Sequence, residues 1–235
     1  MSQESWRSAF AAYYHFQTLP STQRFILEHD QLKNSPIFCR SNVQSAGLGQ
    51  RGPNWQHTPG QLSFSFSQLL DGPSALHLGL TQLVALTVID YLNLDGLQLK
   101  WPNDIYCHGQ KLMGCLIDLV PQGANTVAVI GIGLNLQGQG DFAGLAALLP
   151  INASQLLDLL MVPLLKALDE WRRRPYLPLN HRWRHWDCFY GREAQLDNGQ
   201  RRRLHAIDQK GRLIVAGPRP EYLSGLRILD HVPAD

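Results

Sequence analysis

Between Leu97 and Ile132 the sequence passes through a series of apolar, strand-like segments separated only by short breaks. Leu97 and Leu99 alternate with polar neighbours up to Trp101-Pro102. Ile105-Tyr106-Cys107 and the run from Lys111 to Val120 flank the turn residues His108-Gly109-Gln110, and Thr126 to Ile132 is a further apolar run. Such segments read as hairpin-linked strands. Upstream, Leu62, Phe64 and Phe66 alternate with Ser63, Ser65 and Ser67, the two-residue period of a strand with one buried face. Ile37 to Arg40 is a short strand candidate. Helical spacing predicts a helix from Gln23 to about Lys33 behind the hydroxyl caps Ser21 and Thr22, with Phe25, Ile26 and Leu32 inward. Two more helices are expected, from Ala75 to Asn93 and from Ser154 to Arg174, the latter ending in Arg172-Arg173-Arg174 before Pro175. From Gly191 onward the pattern changes to short strands with turns at Asp197-Asn198-Gly199 and Gln209-Lys210-Gly211, a small all-β module. This order predicts an α+β main domain over residues 1–186 and a β domain over residues 187–235.

At 235 residues, 44% hydrophobic and 17% charged, the chain suits one large domain or one domain with a small appendage, and disordered, fibrous and disulfide-scaffold classes are excluded. The net charge of +2 conceals two unlike parts: residues 1–171 carry 8 basic and 12 acidic groups, residues 172–235 carry 13 and 7. The N-terminus lacks the layout of a secretory signal and no apolar run is long enough to cross a bilayer, so a cytoplasmic protein without a membrane partner is expected. Cys39, Cys107, Cys115 and Cys188 form no CxxC pair and read as buried free thiols. No HExxH or GxSxG motif is present.

Three stretches could carry chemistry. In Gln44-Ser45-Ala46-Gly47-Leu48-Gly49-Gln50-Arg51-Gly52-Pro53-Asn54-Trp55, three glycines permit close backbone approach and Arg51 supplies a fixed charge. This is either a loop wrapped around an anion or a plain connector. In Lys100-Trp101-Pro102-Asn103-Asp104, followed by Lys111-Leu112-Met113-Gly114, a turn brings an acid, an amide and an ammonium together. Lys111 is either a ligand-binding cation or half of a cross-strand ion pair with Asp104, and Gly114 leaves room against the strand. Gly131-Ile132-Gly133-Leu134-Asn135 closes a strand, and taken alone it reads as a bulge or close packing rather than a dinucleotide fingerprint.

In this order the stretches resemble the biotin protein ligase family, from Ser21-Thr22-Gln23, similar to the family's Ser-Thr-Asn, through the three segments above to Ile207-Asp208-Gln209-Lys210-Gly211-Arg212-Leu213. The resemblance covers about residues 18 to 229, and its most specific element is Lys-Trp-Pro-Asn-Asp followed by Lys-Leu-x-Gly. It implies a mixed sheet with flanking helices, like class II aminoacyl-tRNA synthetases, and an SH3-like barrel at the C-terminus. It implies biotin and ATP as substrates, Mg²⁺ as cofactor, a biotinyl-5′-adenylate intermediate, and transfer of biotin to a lysine of the biotin carboxyl carrier protein of acetyl-CoA carboxylase. By the same resemblance Lys111 and Arg51 are catalytic. Ser21, Thr22, Gln23, Gln44, Gly47, Leu48, Gly49, Gln50, Lys111 and Gly114 bind biotin. Arg51, Trp55, Asn103, Asp104, Gly133 and Asn135 bind nucleotide, and Asp104 is the candidate metal contact. A biotin-binding protein that transfers poorly and a lipoate ligase are the rival readings.

The family's loop is commonly Gly-Arg-Gly-Arg-x-x-Arg, whereas Leu48, Gln50 and Pro53 stand here where arginines are common. Each lost charge-assisted contact, at roughly 1.5–3 kcal/mol, predicts one to two decades weaker retention of the adenylate. The recognisable core begins near Thr18, so no DNA-binding domain and no nucleic-acid partner are expected, and Arg172-Arg173-Arg174 and Arg201-Arg202-Arg203 read as solvated surface or as a docking face for an acidic carrier domain. The oligomeric state is open, a homodimer included.

Overall fold

A computed structural model describes residues 5–29, 32, 35–49, 54, 55, 60–175, 179–217 and 219–233. Its centre is a seven-stranded mixed sheet in the order β1-β2-β5-β9-β8-β7-β6. The strands are β1 (Ala12–Leu19), β2 (Ile37–Gln44), β5 (Gln61–Leu70), β6 (Leu97–Lys100), β7 (Asp104–Cys107), β8 (Gln110–Gln122) and β9 (Asn125–Asn135). Only β1 and β2 run parallel; the other neighbours are antiparallel. The predicted hairpin turn is present, with positive φ at His108 (46°) and Gly109 (76°), the backbone that matches strand twist in a two-residue connection. The sequence pattern does not mark β1, because its aromatics give it a half-buried pattern without a clean apolar face.

The alternation along β5 sends Phe64 and Phe66 to one side, where they join Phe38, Ile130 and Ile132 under α2 (Leu80–Leu92) and α3 (Ala153–Arg173). The sequence predicts solvent on the opposite face, yet Ser63, Ser65 and Ser67 are buried too. β5 lies in the middle of the sheet, and its small serines let α1 (Thr22–Leu27) approach closely: the Thr22 and Ser65 hydroxyls are 2.9 Å apart, and Ser67 Oγ accepts from the Ile37 amide at 2.8 Å. α1 is shorter than its apolar spacing predicts, ending after Leu27, although Ile26 and Leu32 are buried as expected. Residues 75–93 likewise split into one 3-10 turn, Ser74–Leu76, and α2, which ends on Asn93 in the left-handed conformation (φ 42°). α3 begins with a capping box between Asn152 and Gln155 and buries Leu156, Leu157, Leu160, Met161, Leu164, Leu168 and Trp171.

A short helix, α4 (Asn180–Trp186), immediately precedes the expected domain boundary at residue 187, and Trp183 anchors it in the core. The chain then pairs with the sheet edge through Cys188 N–H to the Leu99 carbonyl (3.1 Å) and enters a separate four-stranded sheet. Its strands are β10 (Glu193–Gln195), β11 (Arg201–Ile207), β12 (Leu213–Val215) and β13 (Glu221–Leu223), joined by successive antiparallel pairings, with a further bridge between Leu196 and Ile228. This small sheet is keyed to the main one: Trp101 Nε1 donates to the Gly211 carbonyl at 2.9 Å, and Lys100 Nζ to the Asp230 carbonyl at 2.8 Å. Many of the C-terminal arginines are answered by aspartates: Arg172 by Asp71 and Asp169, Arg182 by Asp90, Arg212 by Asp208 and Arg227 by Asp197. All four cysteines are free and buried, with burial raising the Cys39 and Cys188 thiols to about 12. Among the described residues no helix is long and apolar enough to cross a membrane.

Candidate active site

A cavity of about 450 Å³ opens where the N-terminus of α1, the ends of β8 and β9, the Trp101-Pro102 turn and the C-terminal segment meet. That volume lies in the range of small-molecule sites. One end is neutral and polar. Ser21 caps α1 through the Arg24 amide at 3.3 Å. Gln44, at the end of β2, receives the Thr22 amide at 2.7 Å and the Thr22 hydroxyl at 3.1 Å on the same oxygen, which fixes the orientation of its amide. Gln23 is held by donating to Asp118 (2.8 Å) and to the Val129 carbonyl (2.9 Å). Its own carbonyl oxygen is buried with no hydrogen-bond partner among the described residues. It lies against Gly131, where an added Cβ would come within 2.5 Å of it.

The other end is charged. Lys111 Nζ pairs with Asp104 Oδ2 at 2.8 Å, as cross-strand logic allows, and both side chains line the cavity. Lys100, the register partner of Asp104, and Arg227 also line it, Arg227 with its charge already answered by Asp197. Desolvation lowers the Lys100 pKa, partly offset by Asp104. Lys100 belongs to the Lys100–Asp104 motif without a role of its own in the sequence reading, whereas nothing in a linear pattern brings Arg227, Ile228 and Leu229 to this cavity.

Ser21, Thr22, Gln23, Gln44, Leu48, Gly49, Trp55, Asn103, Asp104, Lys111, Gly114 and Gly133 all line the cavity. The stretch read as a ligand loop or a connector contains a short ladder, β3 (Gly47–Leu48) against β4 (Asn54–Trp55), while Gln50 and Arg51 lie outside the described residues. The room expected beside Gly114 is filled: a Cβ there would meet Trp55 Cζ3 at 2.8 Å, and one on Gly133 would meet the same indole at 2.4 Å. These two glycines are partners across β8 and β9 and form the floor on which the ring rests. Gly47 packs under the Trp55 backbone rather than lining the cavity. Asn103 donates to the Cys115 carbonyl, and Asn135 lies fully buried behind the wall, donating to the Lys111 carbonyl at 3.1 Å. Their side-chain donors thus brace the strands.

Residues 15–135 match the model of the biotin/lipoate A/B protein ligase family. The chain belongs to this family. Among curated relatives, the bifunctional ligase/repressor BirA of Escherichia coli (strain K12) is 28% identical over 215 residues, spanning 84% of this chain and 67% of that protein. The biotin–[acetyl-CoA-carboxylase] ligase of Paracoccus denitrificans is 26% identical, spanning 74% and 82%. The biotin protein ligase from Aquifex aeolicus in complex with biotin and ATP superposes with a TM-score of 0.72 at 20% identity, covering 93% of this chain and all of that one, which shows the shared fold. The biotin acetyl coenzyme A carboxylase synthetase from Helicobacter pylori, with bound biotinylated ATP, gives a TM-score of 0.60 at 28% identity, covering 90% and 99%. A family member thus has its neutral and charged ends in a single cavity beside the small C-terminal sheet.

Proposed function

We propose that this chain activates biotin with ATP and transfers it to a lysine of a biotin carboxyl carrier protein, as a biotin–[acetyl-CoA-carboxylase] ligase. The supporting observation is the polarity of the cavity, with uncharged hydrogen-bonding groups around Thr22 and Gln44 and the Lys111 and Lys100 cations grouped about Asp104. Biotin has a matching layout, a neutral ureido ring joined by an apolar chain to a carboxylate. The side chains of Ser21, Thr22 and Gln44 offer a neutral hydrogen-bonding lining suited to the ureido ring.

In the first half-reaction a carboxylate oxygen of biotin attacks the α-phosphorus of ATP, forming the acyl phosphate bond and expelling pyrophosphate. Two anions must approach, so the main requirement is positioning and charge compensation. Lys111 would exchange its Asp104 partner for the carboxylate and an α-phosphate oxygen, with Lys100 nearby adding to the field. The loop arginine, Arg51, is read as sharing this charge. In the second half-reaction the amine of the acceptor lysine attacks the acyl carbon, AMP departs and a proton is lost from nitrogen. Among the described residues no cluster of three or more His, Cys, Asp or Glu could hold a metal by itself. Mg²⁺ in nucleotide sites is typically held by one or two carboxylates together with substrate phosphates, which Asp104, the single carboxylate among the described lining residues, fits. Residues 187–235 are read as an accessory module that closes the nucleotide side.

Incubating the protein with labelled biotin, ATP, Mg²⁺ and a carrier domain should place label on the carrier, and biotin-dependent exchange between ATP and pyrophosphate should accompany it. Tight biotin binding with no exchange would reject the enzyme reading in favour of a binding protein. Because the family model covers lipoate ligases as well, preferential use of lipoate in competition would reassign the substrate.

A further inference from the structure

Trp55 and two amide side chains behind it form a directed relay. Gln61, the first residue of β5, is 5% exposed. Its Oε1 accepts from Trp55 Nε1–H at 3.0 Å and its Nε2 donates to Asn135 Oδ1 at 2.7 Å. Asn135 in turn donates to the backbone carbonyl of Lys111. An indole N–H only donates and a carbonyl only accepts, so both amides have one permitted orientation. The Trp55 ring therefore has three fixed references. The Gly114–Gly133 floor lies beneath it, Gln61 holds its edge, and Lys111 Nζ stands 5.4 Å from its centroid. Trp55 itself sits on a strand of only two residues, which alone would fix an indole poorly. With the ring seated, the cavity retains its 450 Å³, so Trp55 is a wall of the site and not its plug.

We infer that Gln61 is a positioning residue: it seats the Trp55 indole as the surface against which a nucleotide base packs and, through Asn135, ties that surface to the strand carrying Lys111. The inference rests on the reading of the cavity as a site for biotin and ATP. Gln61 is not among the lining residues and acts only through the ring it holds.

Gln61→Met keeps the side-chain length and removes the acceptor. It should raise the KM for ATP about three- to tenfold, the span expected for one lost hydrogen bond, while the KM for biotin stays within twofold. Trp55→Phe removes the same bond from the other partner and should raise the KM for ATP by at least as much; it also decides the matter if Gln61→Met does not fold. In the Trp55→Phe background, adding Gln61→Met should cause no further rise. An unchanged KM for ATP in Gln61→Met, or a full additional rise in the double variant, would overturn the positioning role. Wild-type protein without biotin-dependent exchange would instead reject the functional reading. In that case quenching of tryptophan fluorescence by ATP supplies the readout. A midpoint shifted about three- to tenfold in Gln61→Met supports the inference, and absent quenching or an unshifted midpoint overturns it.

Discussion

Lys111→Met separates the two roles open to this residue, half of an ion pair or charge compensator for the reaction. Methionine keeps the unbranched stem, whose Cε in lysine lies over the Gly114 floor, 3.5 Å from where a Cβ there would stand. The loss is therefore confined to the ammonium. For stability, the pair with Asp104 spans 2.8 Å, with the two side chains 26% and 19% exposed, between the surface and buried limits. Asp104 also keeps Lys100 as its register partner on β6. A cost of about 1 kcal/mol follows, equivalent to a Tm lowered by about 2–4 °C for a chain of this size. For chemistry, removing a preorganised donor at developing charge lowers turnover by about 10²–10³-fold, or roughly 2.7–4 kcal/mol. The two effects thus differ in scale. Thermal unfolding and biotin-dependent exchange, measured on the same preparation, should show a small shift beside a loss of two decades or more. Exchange within threefold of wild type would refute the catalytic role. A Tm drop beyond 10 °C with proportionate loss of activity would mark Lys111 as structural.

Gly131→Ala should weaken biotin binding about tenfold with the fold preserved, because the new Cβ, 2.5 Å from Gln23 Oε1, pushes a side chain that lines the cavity out of place; calorimetric titration with biotin checks it, and unchanged affinity would show that this wall does not touch the ligand. Trp101→Phe removes the buried bond to the Gly211 carbonyl, at a cost of about 1–3 kcal/mol, and should speed proteolytic release of residues 187–235; an unaltered cleavage rate would show that the two sheets are held together elsewhere. Burial lowers the His77 pKa, so that residue's contribution to stability is present above about 6.5 and is lost as pH falls. Burial raises Asp187 to about 6, so the folded state takes up that proton first and stability is regained between pH 6 and 4. Asp187→Asn should therefore steepen the acid loss of Tm in that window, and a slope equal to wild type would contradict the assignment.

What the chain reveals in one dimension follows from the range of each interaction. The hairpin from Asp104 to Gln122 is local: turn residues with positive φ join two strands nearby in sequence, so the pattern and the structure coincide. The serines of β5 show where local reading stops. Alternation indicates which residues share a face, and it indicates water on the polar face only when nothing distant covers it. Here α1 covers it, and the pairing of Thr22 with Ser65 spans 43 residues. The same reasoning separates the parts of the site. Lys111 and Asp104 are brought together by one turn, so their proximity was legible. Gln44 could be named as a candidate, but that both Thr22 donors fix its orientation required the crossing of β2 and α1.

The glycines make the distinction sharpest. A glycine in a strand signals that something approaches the backbone, and the sequence cannot say whether that is a ligand or another part of the chain. At Gly114 and Gly133 it is the Trp55 indole. This changes how the site discriminates. If the ligand lay on bare backbone, any flat group of suitable size would be accommodated there. With an indole interposed and held by Gln61, the wall offers an aromatic face beside the Lys111 cation, a surface suited to a purine linked to phosphates. Positions with no local signature, Gln61 among them, thus set the geometry within which the readable motif residues act.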